Sequence, residues 1–149
     1  MPTDPIAERA SIHSRLIDAP RERVFRAFAQ PEHLARWWGP DGFSSTFETF
    51  ELRPGGAWRF VMHGPDGTDY PNENVFVEVL APQRVVVEHI AQPHHFLLTI
   101  TFEAQGDKTL VGWQQVFDTA EHKERIAAFV AQANEQNLDR LAREVLRVA

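Results

Sequence analysis

His89, Glu78, Asn74 and Gln115 are the residues whose types and placement could move protons or orient a ligand. In "RVVVEHI" (84–90), alternation puts Val85, Val87 and His89 on one strand face and Val86, Glu88 and Ile90 on the other. Burying Glu88 costs more than burying a valine, so the His89 face is expected to point inward. A histidine titrates near neutral pH, so in an apolar pocket it can serve as general acid, general base or ligand anchor. The same residue is an ordinary core histidine when a backbone carbonyl satisfies it. Glu78 is its natural partner: in a regular strand over 72–80 it shares a face with Asn74, and an inward acid beside His89 would make an acid–base pair. The alternative turns Val75, Val77 and Val79 inward and leaves Glu78 in water. His89 and Glu78 are thus the catalytic candidates, with both orientations of Glu78 open.

Other chemistries are poorly served. With no cysteine in the chain, disulfides, thiolate catalysis and zinc–thiolate sites are excluded. His94 and His95 are adjacent, so in a strand they point to opposite faces and do not share one ion. Asp118 and His122 lie at the start of a helix, where they read as helix-end electrostatics rather than ligands. No serine sits in a nucleophile elbow and no glycine-rich loop precedes a helix. No metal and no cofactor are expected. Fifteen basic against twenty-one acidic residues give a net charge of −6, which argues against nucleic acid and against an anionic membrane surface as partners. No stretch approaches the ~20 apolar residues of a membrane span. The opening "MPTDPIAERA" lacks the apolar core of a signal peptide, so a cytoplasmic location is expected.

These residues need elements to hold them. Residues 1–8 read as a loose tail, and 9–149 as one domain. A first strand over 9–20 ends at Pro20, with Ile12, Ser14 and Leu16 alternating with His13, Arg15 and Ile17. A helix follows with Val24, Phe25 and Phe28 as its apolar stripe, and Pro31 opens a second short helix that stops at Gly39-Pro40. Six strands are then predicted, at 43–52, 57–63, 72–80, 84–90, 95–104 and 109–117, separated by Gly, Pro and Asp turns. The period changes to helical over 119–148, with Thr119 as N-cap and Ile126, Phe129, Val130, Ala133, Asn137, Leu141 and Val145 on or near one face. At 1.5 Å per residue that helix spans roughly 45 Å, enough to lie across a sheet. The order predicts an α+β fold: a seven-stranded antiparallel sheet with one apolar face turned to a long C-terminal helix, and a pocket between them.

Alternation then names the expected lining. "AWRFVMH" contributes Trp58, Phe60 and Met62. The later strands contribute Phe96 and Leu98, then Trp113 and Gln115. Asn74, Phe76 and His89 come from the strands between. Phe129 and Ala133 come from the last helix, and Trp37 from the end of the second short helix. One of Trp37 and Trp38 is expected to pack inward at the pocket mouth.

Four stretches carry a resemblance: "IDAPRERVFRAFAQPEHLARWWGPDGF" (17–43), "ELRPGGAWRFVMHGPDGTDYPNE" (51–73), "VEVLAPQRVVVEH" (77–89) and "NLDRLAREVL" (137–146). Over about residues 10–147 the chain resembles the SRPBCC or START-like superfamily, and within it the group named after the activator of the ninety-kilodalton heat-shock protein's ATPase. The resemblance implies the helix-grip fold of the birch-pollen allergen. That fold hosts lipid carriers, receptors, polyketide cyclases and co-chaperones, so it does not select a function. The last helix departs from the group's Glu-Gly pair, reading Ala133-Asn134-Glu135-Gln136-Asn137 instead. Three functions follow as expectations. The first is a binding domain for a small apolar or aromatic molecule, lipid-like or polyketide-like. The second is a cofactor-independent cyclase or hydrolase using a cavity histidine and a carboxylate. The third is a co-chaperone-like interaction module. The incomplete catalytic set ranks the enzyme second. Members of such groups often pair, which keeps a homodimer in view.

Overall fold

Alternating side chains and glycine-proline turns produce the strands where the pattern predicts them. The computed structural model describes residues 9–90 and 95–147. The elements are β1 (Ala10–Ile17), α1 (Arg21–Ala29), α2 (Pro31–Trp37), β2 (Ser44–Phe50), β3 (Ala57–His63), β4 (Asp69–Leu80), β5 (Arg84–His89), β6 (Phe96–Gln105), β7 (Lys108–Phe117) and α3 (Ala120–Arg147). The strands form one antiparallel sheet in the order β1-β7-β6-β5-β4-β3-β2. The two short helices therefore carry the chain from one edge of the sheet to the other. The tail 1–8, the Gln92-Pro93 turn and His94 lie outside the described residues.

Tight turns set the register. A Cβ on Gly56 would lie 2.0 Å from the Glu51 carbonyl oxygen, so only glycine lets the β2–β3 connection close here. From it β3 pairs with β4, placing Trp58 opposite Asn74 and Phe60 opposite Asn72. The register of β4 on β5 then slips between Phe76 and Glu78. This bulge inserts one residue and reverses the alternation beyond it. Asn74 and Phe76 consequently face inward, Val77 is exposed, and Val79 packs against the core. Glu78 thus faces outward, as the second alternative for 72–80 has it, but Val75 and Val77 do not join Val79 inside.

The core fills one end of the space between sheet and helices. Phe28 of α1 packs edge-on against Trp58, Phe50 and Phe76, and Trp58 stacks on Phe76 with ring centroids 5.8 Å apart. Leu138, Leu141 and Val145 of α3 are fully buried against this cluster. Burial of each such side chain contributes about 1.5–3 kcal/mol. Helix α3 starts directly after Thr119, whose carbonyl accepts the Lys123 N–H, as its predicted capping position requires. Its buried stripe runs Val130, Asn134, Asn137, Leu138, Leu141 and Val145. Phe129 is not part of it and is 65% exposed. At about 100° per residue, Phe129 lies roughly 140° round the helix from Asn134.

The inner face of β1 is the polar one. Ile12 and Leu16 point outward and are exposed, while His13 and Arg15 bond to Glu135 and Asp139 on α3. The helix is thus fastened to the edge strand by ion pairs and to the sheet centre by apolar packing.

Candidate functional site

Beyond the aromatic cluster the sheet and α3 diverge around a cleft of about 130 Å³. Strands β3 to β7 form its floor with Phe60, Met62, Val87, Phe96, Leu98 and Trp113. Helix α3 forms the roof with Ala133, Asn134 and Asn137, and the α2–β2 loop closes one side with Trp38, Gly39 and Pro40. Gly39 has φ +105°, a conformation open to glycine, and its N–H donates to Asn137 Oδ1 at 3.1 Å. Arg140 donates to the Gly39 and Pro40 carbonyls at 2.8 Å each, pinning the same loop to α3. Burial holds the Arg140 pKa below its ordinary value, but the guanidinium stays charged throughout the physiological range.

The polar lining consists of Asn72, Asn74, His89, Gln115, Asn134 and Asn137. None of the described lining residues is an acid, lysine or arginine. His89 is buried, lies against Phe96 with centroids 4.7 Å apart, and is 2.8 Å from Asn74 Oδ1 through Nδ1. Asn74 Nδ2 donates to the Trp58 carbonyl, so its oxygen faces His89 and Nδ1 carries the proton of that bond. Trp113, a residue of the cleft wall, and Trp58, in the core, each have an indole N–H buried from solvent with no acceptor among the described residues. Each such orphan costs about 1–3 kcal/mol until an acceptor arrives.

The structure brings Phe60, Met62, Asn74, His89, Phe96, Leu98, Trp113 and Gln115 of the strands and Ala133 of α3 together around the cleft. Four expected lining residues lie elsewhere. Trp37, Trp58 and Phe76 are fully buried in the aromatic cluster, and the Trp37 indole donates to the Ala27 carbonyl at 2.9 Å. Phe129 is on the outer side of α3. At the mouth it is Trp38, not Trp37, that faces the cleft, and both are buried. Glu78, turned out by the bulge, pairs with Arg84 on the surface. His89 Nδ1 therefore meets an amide, and Glu78 takes the outward of the two orientations that the sequence left open.

A hydrogen-bonded chain behind the cleft was not visible in the sequence. Glu135 Oε2 is 2.5 Å from His13 Nδ1, His13 Nε2 is 2.7 Å from Ser11 Oγ, and Asn134 Nδ2 donates to Ser11 Oγ at 3.4 Å and to Gln115 Oε1 at 3.0 Å. Only the i, i+2 spacing of Ser11 and His13 hints at it. His95 bonds Glu88 and Asp118 through its two ring nitrogens, at 2.7 and 2.6 Å, so Asp118 serves an ion pair at the sheet end. The His122 side chain lies outside what is described. No group of metal-ligating residues is present among the described residues. Two larger hollows, of about 560 and 530 Å³, open on the helical face, and their arginines other than Arg26 are engaged. Arg23 donates to the Val145 carbonyl, and Arg36 and Arg147 hold Glu144.

Known proteins share this architecture. Protein NE0264 from Nitrosomonas europaea superposes with a TM-score of 0.87 at 22% identity, over 95% of this chain and 96% of that one. A protein from Arthrobacter aurescens gives 0.88 at 21% identity, over 97% and 90%. CalU16 from Micromonospora echinospora gives 0.66 at 18% identity, over 91% and 75%. At these identities the likeness is one of fold. No curated protein matches the sequence. No helix among the described residues is long and apolar enough to cross a membrane. The family described as activator of Hsp90 ATPase homolog 1-like protein matches residues 18–145, nearly the full length, and the chain belongs to that family.

Proposed function

We propose that this protein is a small-molecule-binding domain whose ligand sits in the cleft between the sheet and α3. The observation that carries the reading is the cleft itself, walled by Phe96, Leu98 and Trp113 and carrying the amides of Gln115, Asn134 and Asn137. The wall around it supports the same reading: flat aromatic and aliphatic surface with a few amides and one imidazole. The cyclase or hydrolase reading is weaker, because Glu78 faces away and His89 leans on Asn74. A general base of this kind needs a carboxylate or similar group to orient it and stabilise the charge it takes up.

The test is the native mass of freshly purified protein against its denatured mass, before and after incubation with a metabolite extract. A non-covalent adduct that is lost on denaturation supports binding. A clean mass in both conditions refutes it.

A further inference from the structure

We infer that the cleft selects a neutral one-ring carbonyl compound, with an aryl carboxamide as the model ligand. This rests on the binding reading above and narrows it to a chemical class. Size comes first. An apolar cavity of about 150 Å³ accepts a single benzene ring, whereas drug-sized ligands need about 300 Å³ or more. At about 130 Å³ the cleft matches one ring with a small substituent better than a long acyl chain or a fused polycycle.

Charge comes second. With no charged side chain among the described lining residues, an ionised ligand would lose its hydration without a counter-ion. A neutral ligand avoids that cost.

The pattern of donors and acceptors comes third, and the chain behind the cleft sets it. The Glu135 carboxylate only accepts, so His13 Nδ1 carries the proton between them. His13 Nε2 lies 2.7 Å from Ser11 Oγ, and Ser11 Oγ accepts from Asn134 Nδ2. The same nitrogen donates to Gln115 Oε1, so the Gln115 oxygen is occupied and its Nε2 donor is left for a ligand. Asn134 correspondingly keeps its Oδ1 acceptor. Asn137 Oδ1 is taken by the Gly39 N–H, which leaves its Nδ2 donor. With Gln115 and Asn137, the wall offers two donors for a carbonyl oxygen, and Asn134 offers one acceptor for an N–H or O–H. A carboxamide presents the complementary pair on one ring substituent.

The experiment follows the indole ¹H–¹⁵N resonance of Trp113, assigned by its loss in Trp113→Phe. The protein is titrated with benzamide, benzoate, naphthalene-2-carboxamide and decanoic acid. Benzamide is expected to shift the resonance to saturation, benzoate to bind at least tenfold more weakly, and the two larger probes to leave it unmoved. Gln115→Leu is expected to weaken benzamide about fivefold with an unchanged circular dichroism spectrum. Tighter binding of decanoic acid or the naphthamide, or equal binding of benzoate, overturns the class and leaves the binding reading standing. If none of the four moves the resonance, the class is overturned. A clean native mass after extract treatment then removes the binding reading with it.

Discussion

The carboxylate of Glu144 lies 2.8 Å from His33 Nδ1, joining the last turns of α3 to α2. Arg36 and Arg147 close on the same group, and Glu144 is only 6% exposed. Burial drives its pKa up, but hydrogen bonds from Arg147, His33 and Arg36 outweigh burial and hold it at about 2, against an ordinary 4.5. The folded-state value is the lower one, so this group stabilises the fold above pH 4.5 and ceases to do so as pH falls from 4.5 to 2. A shift of that size corresponds to roughly 3 kcal/mol. Denaturant titrations at pH 7, 4 and 2.5 are expected to show wild type losing stability across this interval. Glu144→Gln should start lower and lose less.

His95 behaves in the opposite sense. Hydrogen bonds to Glu88 and then Asp118 raise its pKa above the ordinary 6.5. Its contribution is complete below pH 6.5 and fades as pH rises through the raised value. An NMR titration should place the His95 midpoint above 6.5. The Tm advantage of wild type over His95→Gln should shrink between pH 6 and 9.

Phe129 and Leu141 test which face of α3 is inside. Leu141→Ala removes a fully buried side chain and should cost about 2–5 kcal/mol in equilibrium unfolding. Phe129→Ser, on the exposed side, should change stability by no more than about 0.5 kcal/mol.

Glu78→Ala removes one partner of a surface pair with Arg84 and should cost under about 1 kcal/mol. The same change should leave ligand binding unaltered. A large loss of binding would put Glu78 in the cleft, against the bulge.

Much of this was legible in local pattern. Strict alternation in 84–90, 96–102 and 111–117 fixed which side chains face inward, and the glycine turns fixed the hairpins. Glu78 was not legible, because a bulge between Phe76 and Glu78 depends on pairing with β5 and leaves no mark on the composition of β4. Phe129 misled because a large aromatic near an apolar stripe reads as part of it, whereas the angular position of Leu138 and Leu141 decides. Trp58 and Phe76 have the inward orientation that alternation predicts, but Phe28 of α1 covers them, so they became core. The Glu135–His13–Ser11–Asn134 chain joins residues more than a hundred positions apart and exists only once α3 lies on β1.

The central claim is that a small molecule occupies the cleft between sheet and α3. The most direct measurement compares native masses of wild type and Ala133→Phe after identical incubation with a metabolite extract. Ala133 lines the cleft roof, and a phenyl ring there fills the space a ligand would take. The expected result is an adduct on wild type that is absent from a helical, folded Ala133→Phe. An adduct that survives in the variant, or none on either protein, contradicts the account.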